Sequence, residues 1–214
     1  MDASKLFRVR ARGPIACFTR PEMKVERVSY EVMTPSAARG LLEAIFWKPA
    51  VKWQVHRITV MAPIRWMSFR RNEVNSKASG QALMADDDRA QRNTVALRDV
   101  DYGIKASMLL TDRKGPDENA RKFEEMFARR LERGQSFHQP YLGCREFAAD
   151  VVEWDGSGSP IDPGTERPLG LMFYDFDYLA KPIVPLFFHA RLRSGVLNVP
   201  PETMVRSENQ RATP

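Results

Sequence analysis

The stretch Thr34–Pro49, TPSAARGLLEAIFWKP, decides how the rest of the chain folds. Thr34 is an N-cap residue, and Pro35 suits the first helical position, where its missing N–H costs nothing. Ala38, Leu41, Leu42, Ile45 and Phe46 follow at spacings of three and four, which is the apolar face of a short helix. Pro49 disfavours helix in the residue before it and sets the stop. Directly after it, Val51–Met61 (VKWQVHRITVM) alternates as a strand does, and Ile64–Phe69 is expected to pair with it. Upstream, Lys5–Arg12 (KLFRVRAR) alternates apolar and basic residues as a strand with one basic face, ended by Gly13-Pro14. Residues 19–33 are charged and lack a helical period, so a long loop or irregular arm is expected there.

Further along, residues 70–93 are polar around the run Asp86-Asp87-Asp88, which reads as a weakly structured insertion. Thr94–Thr111 is strand-like, with a bend near Asp99–Asp101. Asn119–Glu132 is the second helix, with Phe123, Met126, Phe127 and Leu131 as its stripe and Gly134 placed to end it in the left-handed conformation. Residues 134–147 form a loop leading into a strand, and 154–168 form a Pro- and Gly-rich surface loop. Short strands are expected over Leu169–Phe176, Ile183–Leu192 and Val196–Val199, and a frayed polar tail from Pro201. The element order predicts an α+β protein. A ferredoxin-like, RNA-recognition-type domain would occupy residues 1–133 and carry the insertion at 70–93. A β-rich module would occupy 134–200, with the polar tail at 201–214.

The charge is uneven. Residues 1–100 hold 18 Lys and Arg against 10 Asp and Glu, whereas 101–214 hold 15 against 17. A basic N-terminal half suits a polyanion, nucleic acid before an acidic protein, although surface basic residues also serve solubility. Cys17 and Cys144 are too few for a disulfide framework, so a reducing cytoplasm is the simpler location. His56, His138 and His189 are scattered, and no close-spaced metal motif and no cofactor motif are present. No run approaches the ~18 apolar residues of a membrane span, and Met1–Arg10 does not read as a secretory signal.

Three segments carry a resemblance. ACFTRPEMKVERVSYEVMTPSAARGLLEAIFWKP at 16–49, RRNEV at 70–74 and GQSFHQPYLGCREF at 134–147 resemble the type I-C branch of the Cas-five family of CRISPR-associated proteins. The likeness runs on, more weakly, to about residue 200. It implies a subunit that cuts precursor CRISPR RNA in the repeat hairpin without a metal ion and stays on the 5′ handle. Implied partners are the Cas-seven backbone subunit, the Cascade large subunit and, through that complex, target DNA. Residues 70–93 would sit where family members carry a thumb-like hairpin.

The implied reaction is attack of a ribose 2′-hydroxyl on the adjacent phosphate. It needs a base, an acid and a cation for the phosphorane charge. The resemblance places these roles on a tyrosine at the end of the first helix and a Lys-His pair in the second. Here Phe46 stands at the tyrosine position, Lys122 matches the lysine and Phe123 stands at the histidine position. Three readings follow. His138 and Lys122, assisted by Tyr141, do the chemistry; or Lys122 alone supports slow cleavage; or the subunit binds without cutting. Both phenylalanines also fall on apolar stripes, where core packing accounts for them. Expected RNA contacts are Arg20, Lys24, Arg27, Lys48, Arg70 and Arg71 through phosphates, and Tyr30 through stacking. Trp47 can stack too, although packing at the helix end explains it as well. Independently of the resemblance, a general nucleic-acid-binding protein that touches duplex DNA fits the charge.

Overall fold

The computed structural model describes residues 3–77, 80, 82 and 84–212. In chain order the elements are β1 (Phe7–Ala16), a 3-10 turn (Pro21–Met23), β2 (Arg27–Val28), α1 (Pro35–Ile45), β3 (Val51–Val60), β4 (Trp66–Val74), β5 (Arg89–Leu110), α2 (Ala120–Glu132), β6 (Asp150–Glu153), β7 (Glu166–Asp177), β8 (Val184–Arg193), β9 (Val196–Asn198) and α3 (Glu202–Ala212). The fold is α+β. Among the described residues the strands make one sheet in the order β6-β1-β5-β3-β9-β8-β7, with β2 and β4 also paired to β5. Residues 134–200 contribute at both ends of this sheet, β6 beside β1 and β9-β8-β7 beyond β3. No helix among the described residues is long and apolar enough to cross a membrane.

The core follows from the alternation. In β1, Phe7, Val9 and Ala11 are buried while Arg8 and Arg12 face out. The stripe of α1 (Ala38, Leu41, Leu42, Ile45) and that of α2 (Phe123, Phe127, Leu131) pack into the same cluster. Phe127 meets Phe7 and Trp53 edge-on, each at 4.8 Å between ring centroids. On the other side, the Trp154 ring covers Gly103 so closely that a Cβ there would lie 2.6 Å from it.

Three expectations are corrected. Ile64–Phe69 does not pair with the strand before it. Trp66–Val74 pairs with β5, in the register Trp66↔Leu97 to Val74↔Arg89. β5 takes one edge of β3 along its length, and β9 takes the other over Arg57–Thr59. Residues 70–93 are not a weakly structured insertion throughout: Arg70–Val74 and Arg89–Asn93 are the outer half of this ribbon. Asn75 and Ser76 turn back onto Asp88, and residues 78, 79, 81 and 83 lie outside the described residues. The ribbon lacks an apolar face because Arg70, Asn72 and Val74 point to water, while Arg71 and Glu73 pack on the polar arm. The tail is not frayed from Pro201. It forms α3, whose Val205 is fully buried and whose Asn209 amide clasps the backbone of Phe187 in β8. The arm at 19–33 is irregular as expected, apart from the 3-10 turn and the short β2.

The loop after α2 docks on the end of β1 through Gly143. Its φ is +87°, and a Cβ would fall 2.1 Å from the carbonyl oxygen of Cys17. Gly143→Ala combines left-handed strain with a backbone clash and is expected to cost at least ~3 kcal/mol. For a chain of this length that lowers Tm by roughly 6–12 °C. Thermal melting followed by circular dichroism checks it.

Candidate nucleic-acid interface

The C-terminal end of α1 gathers the side chains of interest. Thr34 caps the start, its Oγ1 accepting from Ala37 N–H at 3.2 Å. Phe46 leaves the helix in an extended conformation, and its carbonyl accepts from Trp53 Nε1 at 2.9 Å. Asn119 caps α2 by accepting from Lys122 N–H at 3.0 Å, which places Phe123 inward. Phe46 and Phe123 are both buried, with ring centroids 6.0 Å apart. They act as core, and neither has an atom for proton transfer.

Two turns further along α2, Arg130 reaches back to the same place. Its guanidinium donates to Ile45 O at 2.9 Å and lies 5.7 Å from the centroid of Phe46 and 4.2 Å from that of Phe137. Phe137 N–H donates to Ala44 O at 2.8 Å, so the loop after α2 is pinned to the end of α1. The next residue is His138. Its Nδ1 lies 3.1 Å from Gln139 O, and its ring stacks on Tyr141 at 5.9 Å and 26°. A carbonyl only accepts, so this contact makes Nδ1 the donor and leaves Nε2 as the proton acceptor. The structure therefore brings His138 and Tyr141 together. Lys122, in the first turn of α2, makes no contact with either among the described residues; its neighbour Phe123 packs inward on Phe46.

The electrostatics favour an anion here. Lys48, Lys122, Arg129, Arg130 and Arg133 make no ion pair among the described residues. Arg121, by contrast, is paired with Glu125 at 3.0 Å. The carbonyl end of α1 accommodates this positive charge. Trp47 is 50% exposed beside Lys48, so part of its ring packs at the helix end and part faces water.

The residues expected on the arm and ribbon divide. Lys24 and Arg70 are exposed, with Arg70 spending one N–H on Gln91 Oε1. Arg20 lies over the Tyr30 ring at 4.4 Å. Tyr30 cannot stack on a base, because it is 1% exposed and its hydroxyl accepts from Phe173 N–H at 3.1 Å. Burial pushes its pKa up. Arg27 and Arg71 are already engaged. Arg27 pairs with Glu146 and Glu73, and Arg71 pairs with Glu73 and donates to Thr94 Oγ1 at 2.6 Å. They fasten the arm to the ribbon. Beside them, the Cys144 thiol sits on Cys17 O at 3.5 Å, and its pKa is pushed down, first by the side-chain interaction with the Cys17 thiol and further by Thr19 and the Arg27 charge.

The sequence reading missed Arg130 as part of this cluster. A signal was present, in the Arg129-Arg130 pair in the last turn of an amphipathic helix. The aromatic pair around it was not visible, because Phe137 is remote from Phe46 in sequence.

Residues 7–200 match the family described as CRISPR-associated protein (Cas_Cas5). The chain belongs to this Cas5 family. It is 45% identical to the CRISPR pre-crRNA endoribonuclease Cas5d of Mannheimia succiniciproducens, over 91% of this chain and 94% of that protein. It is 43% identical to the protein of the same name from Thermus thermophilus, over 91% of each. The type I-C branch read from residues 16–49, 70–74 and 134–147 agrees with these Cas5d relatives. Among solved structures, a CRISPR-associated protein superposes with a TM-score of 0.75 at 25% identity, covering 96% of both chains. A functionally uncharacterized Streptococcus mutans protein superposes at 0.74 and 23%, covering 96% of this chain and 97% of that one. A chain of a CRISPR RNA-guided surveillance complex shares the fold at 0.51 and 14%, over 91% of this chain and 88% of that one.

Tyr30→Phe removes the acceptor for Phe173 N–H and is expected to cost ~1–3 kcal/mol of stability while leaving affinity for repeat RNA unchanged. Thermal melting and RNA titration on the same sample read the two effects separately.

Proposed function

We propose that this Cas5 chain cleaves precursor CRISPR RNA within the repeat and remains bound to the 5′ handle. The observation that carries the reading is Arg130 at the end of α1, without a carboxylate partner among the described residues, with the His138–Tyr141 pair in the loop pinned against the same helix end. The two Cas5d relatives, named as pre-crRNA endoribonucleases, support it. In this reading Nε2 of His138 takes the proton of the attacking 2′-hydroxyl, Tyr141 holds the imidazole, Lys122 offsets charge on the phosphate, and the bond to the 5′-oxygen breaks as that oxygen takes a proton from water, leaving a cyclic phosphate. Arg20, Lys24, Lys48 and Arg70 contact the RNA backbone, and Trp47 offers a stacking face. Arg27 and Arg71 support the arm from beneath, and no metal ion or cofactor takes part.

The sub-order β6-β1-β5-β3, with α1 and α2 as the crossovers, supports reading the N-terminal unit as ferredoxin-like. That unit draws β6 from beyond residue 133. The partners in this reading are the repeat hairpin and 5′ handle, the Cas-seven backbone, the Cascade large subunit and, through the complex, target DNA, all in the cytoplasm. Its relation to a surveillance-complex chain by fold supports the assembly.

A second reading, binding without cutting, is favoured by one observation. Phe46 and Phe123 are buried against each other where the resemblance implies proton-transferring groups.

Labelled cognate repeat RNA incubated in EDTA separates the two on a denaturing gel. The first reading predicts a single cut at the base of the hairpin, and His138→Ala slows it by ~100-fold or more. RNA that shifts on a native gel but stays intact supports the second reading. Both predict that affinity falls steeply with salt, since phosphate contacts release counterions; a flat salt response contradicts both.

A further inference from the structure

Arg130 has more behind it than the capping of a helix end. Its contact with Ile45 O uses one N–H at 2.9 Å. A guanidinium carries five N–H donors, and the remaining ones meet no carboxylate among the described residues. Two rings neighbour the group, with Phe137 at 4.2 Å and Phe46 at 5.7 Å from its central carbon. Phe137 is 57% exposed, although its backbone is tied to Ala44 O. A large apolar ring left in water at a fixed position is otherwise unexplained, and cradling a cation explains it. The rings fix the fork in advance, so little conformational freedom is lost when it takes an anion.

We propose that Arg130 is the phosphate clamp of the RNA site, holding one backbone phosphate bidentately at the end of α1. The inference rests on the RNA-binding reading and adds to it a second cation, besides Lys122, for the charge that develops on the phosphate. A capping arginine needs a single donor, and a lysine would serve. A clamp needs the fork.

The test uses the full chain and a repeat RNA with a 2′-deoxy nucleotide at the cut position, so that binding is read without cleavage. Arg130→Gln is expected to raise Kd ~10-fold near physiological salt and to reduce the log–log salt slope by about one. Arg130→Lys is expected to keep the slope. With cleavable RNA, it is expected to cut ~10-fold more slowly, and Arg130→Gln ~100-fold more slowly. Arg121→Gln, at a cation already paired with Glu125, leaves slope and rate unchanged. Wild-type slope and affinity in Arg130→Gln overturn the clamp while leaving the RNA reading intact. Tight binding without cutting by the unmodified chain removes the cleavage reading, and the slopes still decide the clamp. Absence of RNA binding by the unmodified chain overturns both. If Arg130→Gln does not fold, Arg130→Lys decides, and cleavage at the wild-type rate by that variant overturns the clamp.

Discussion

Backbone pairing along β5 is the constraint on which the other elements depend. Its 22 residues bind β4 and β2 over the first half, β1 through the middle and β3 toward the end. A strand paired on both sides and covered on both faces leaves its neighbours little choice of register. A one-residue slip would turn Val100, Tyr102 and Ile104 out of the core, together with the aromatic cluster beneath α2. The bend near Asp99, which has a φ of +54°, marks where the covered part gives way to the exposed ribbon.

The candidate site is a consequence of that frame. β5 ends beside the start of β3, so the helix leading into β3 and the helix leading out of β5 meet there. Their stripes close on Phe46 and Phe123, and the loop after α2 folds back onto the end of α1. The apolar contact leaves polar and basic residues around its rim. The charge pattern separates two functions for arginine in this chain. Arg27, Arg39, Arg71 and Arg206 are tied to carboxylates and hold elements together. Arg130, at the end of α1, has no such partner among the described residues and keeps donors for an external anion.

Much of this was legible in the sequence, for physical reasons that vary by element. Thr34-Pro35, Asn119 and Gly134 mark the helix ends because caps and left-handed turns admit few residue types, and the apolar spacing fixed which faces are buried. The partner of Ile64–Phe69 was not legible, because an alternating strand shows its faces and not its neighbour. The ribbon at Arg70–Val74 and Arg89–Asn93 was hidden since neither of its faces is apolar. α3 reads as a tail in the sequence because it buries little beyond Val205. At the site, Lys48, Lys122, His138 and Tyr141 could be picked by residue type. Burial of Tyr30 and the cradle of Arg130 depend on partners far away in the chain, Phe173 and Phe137, and only the folded structure brings those together.

The central claim is that RNA runs across the end of α1. Repeat RNA carrying 4-thiouridine beside the cut position, photo-crosslinked and mapped by mass spectrometry, tests it most directly. The account predicts adducts on the segment around Trp47 and Lys48 and on the loop 134–141. Adducts confined to the β7–β8 strands, with none at either segment, would contradict it.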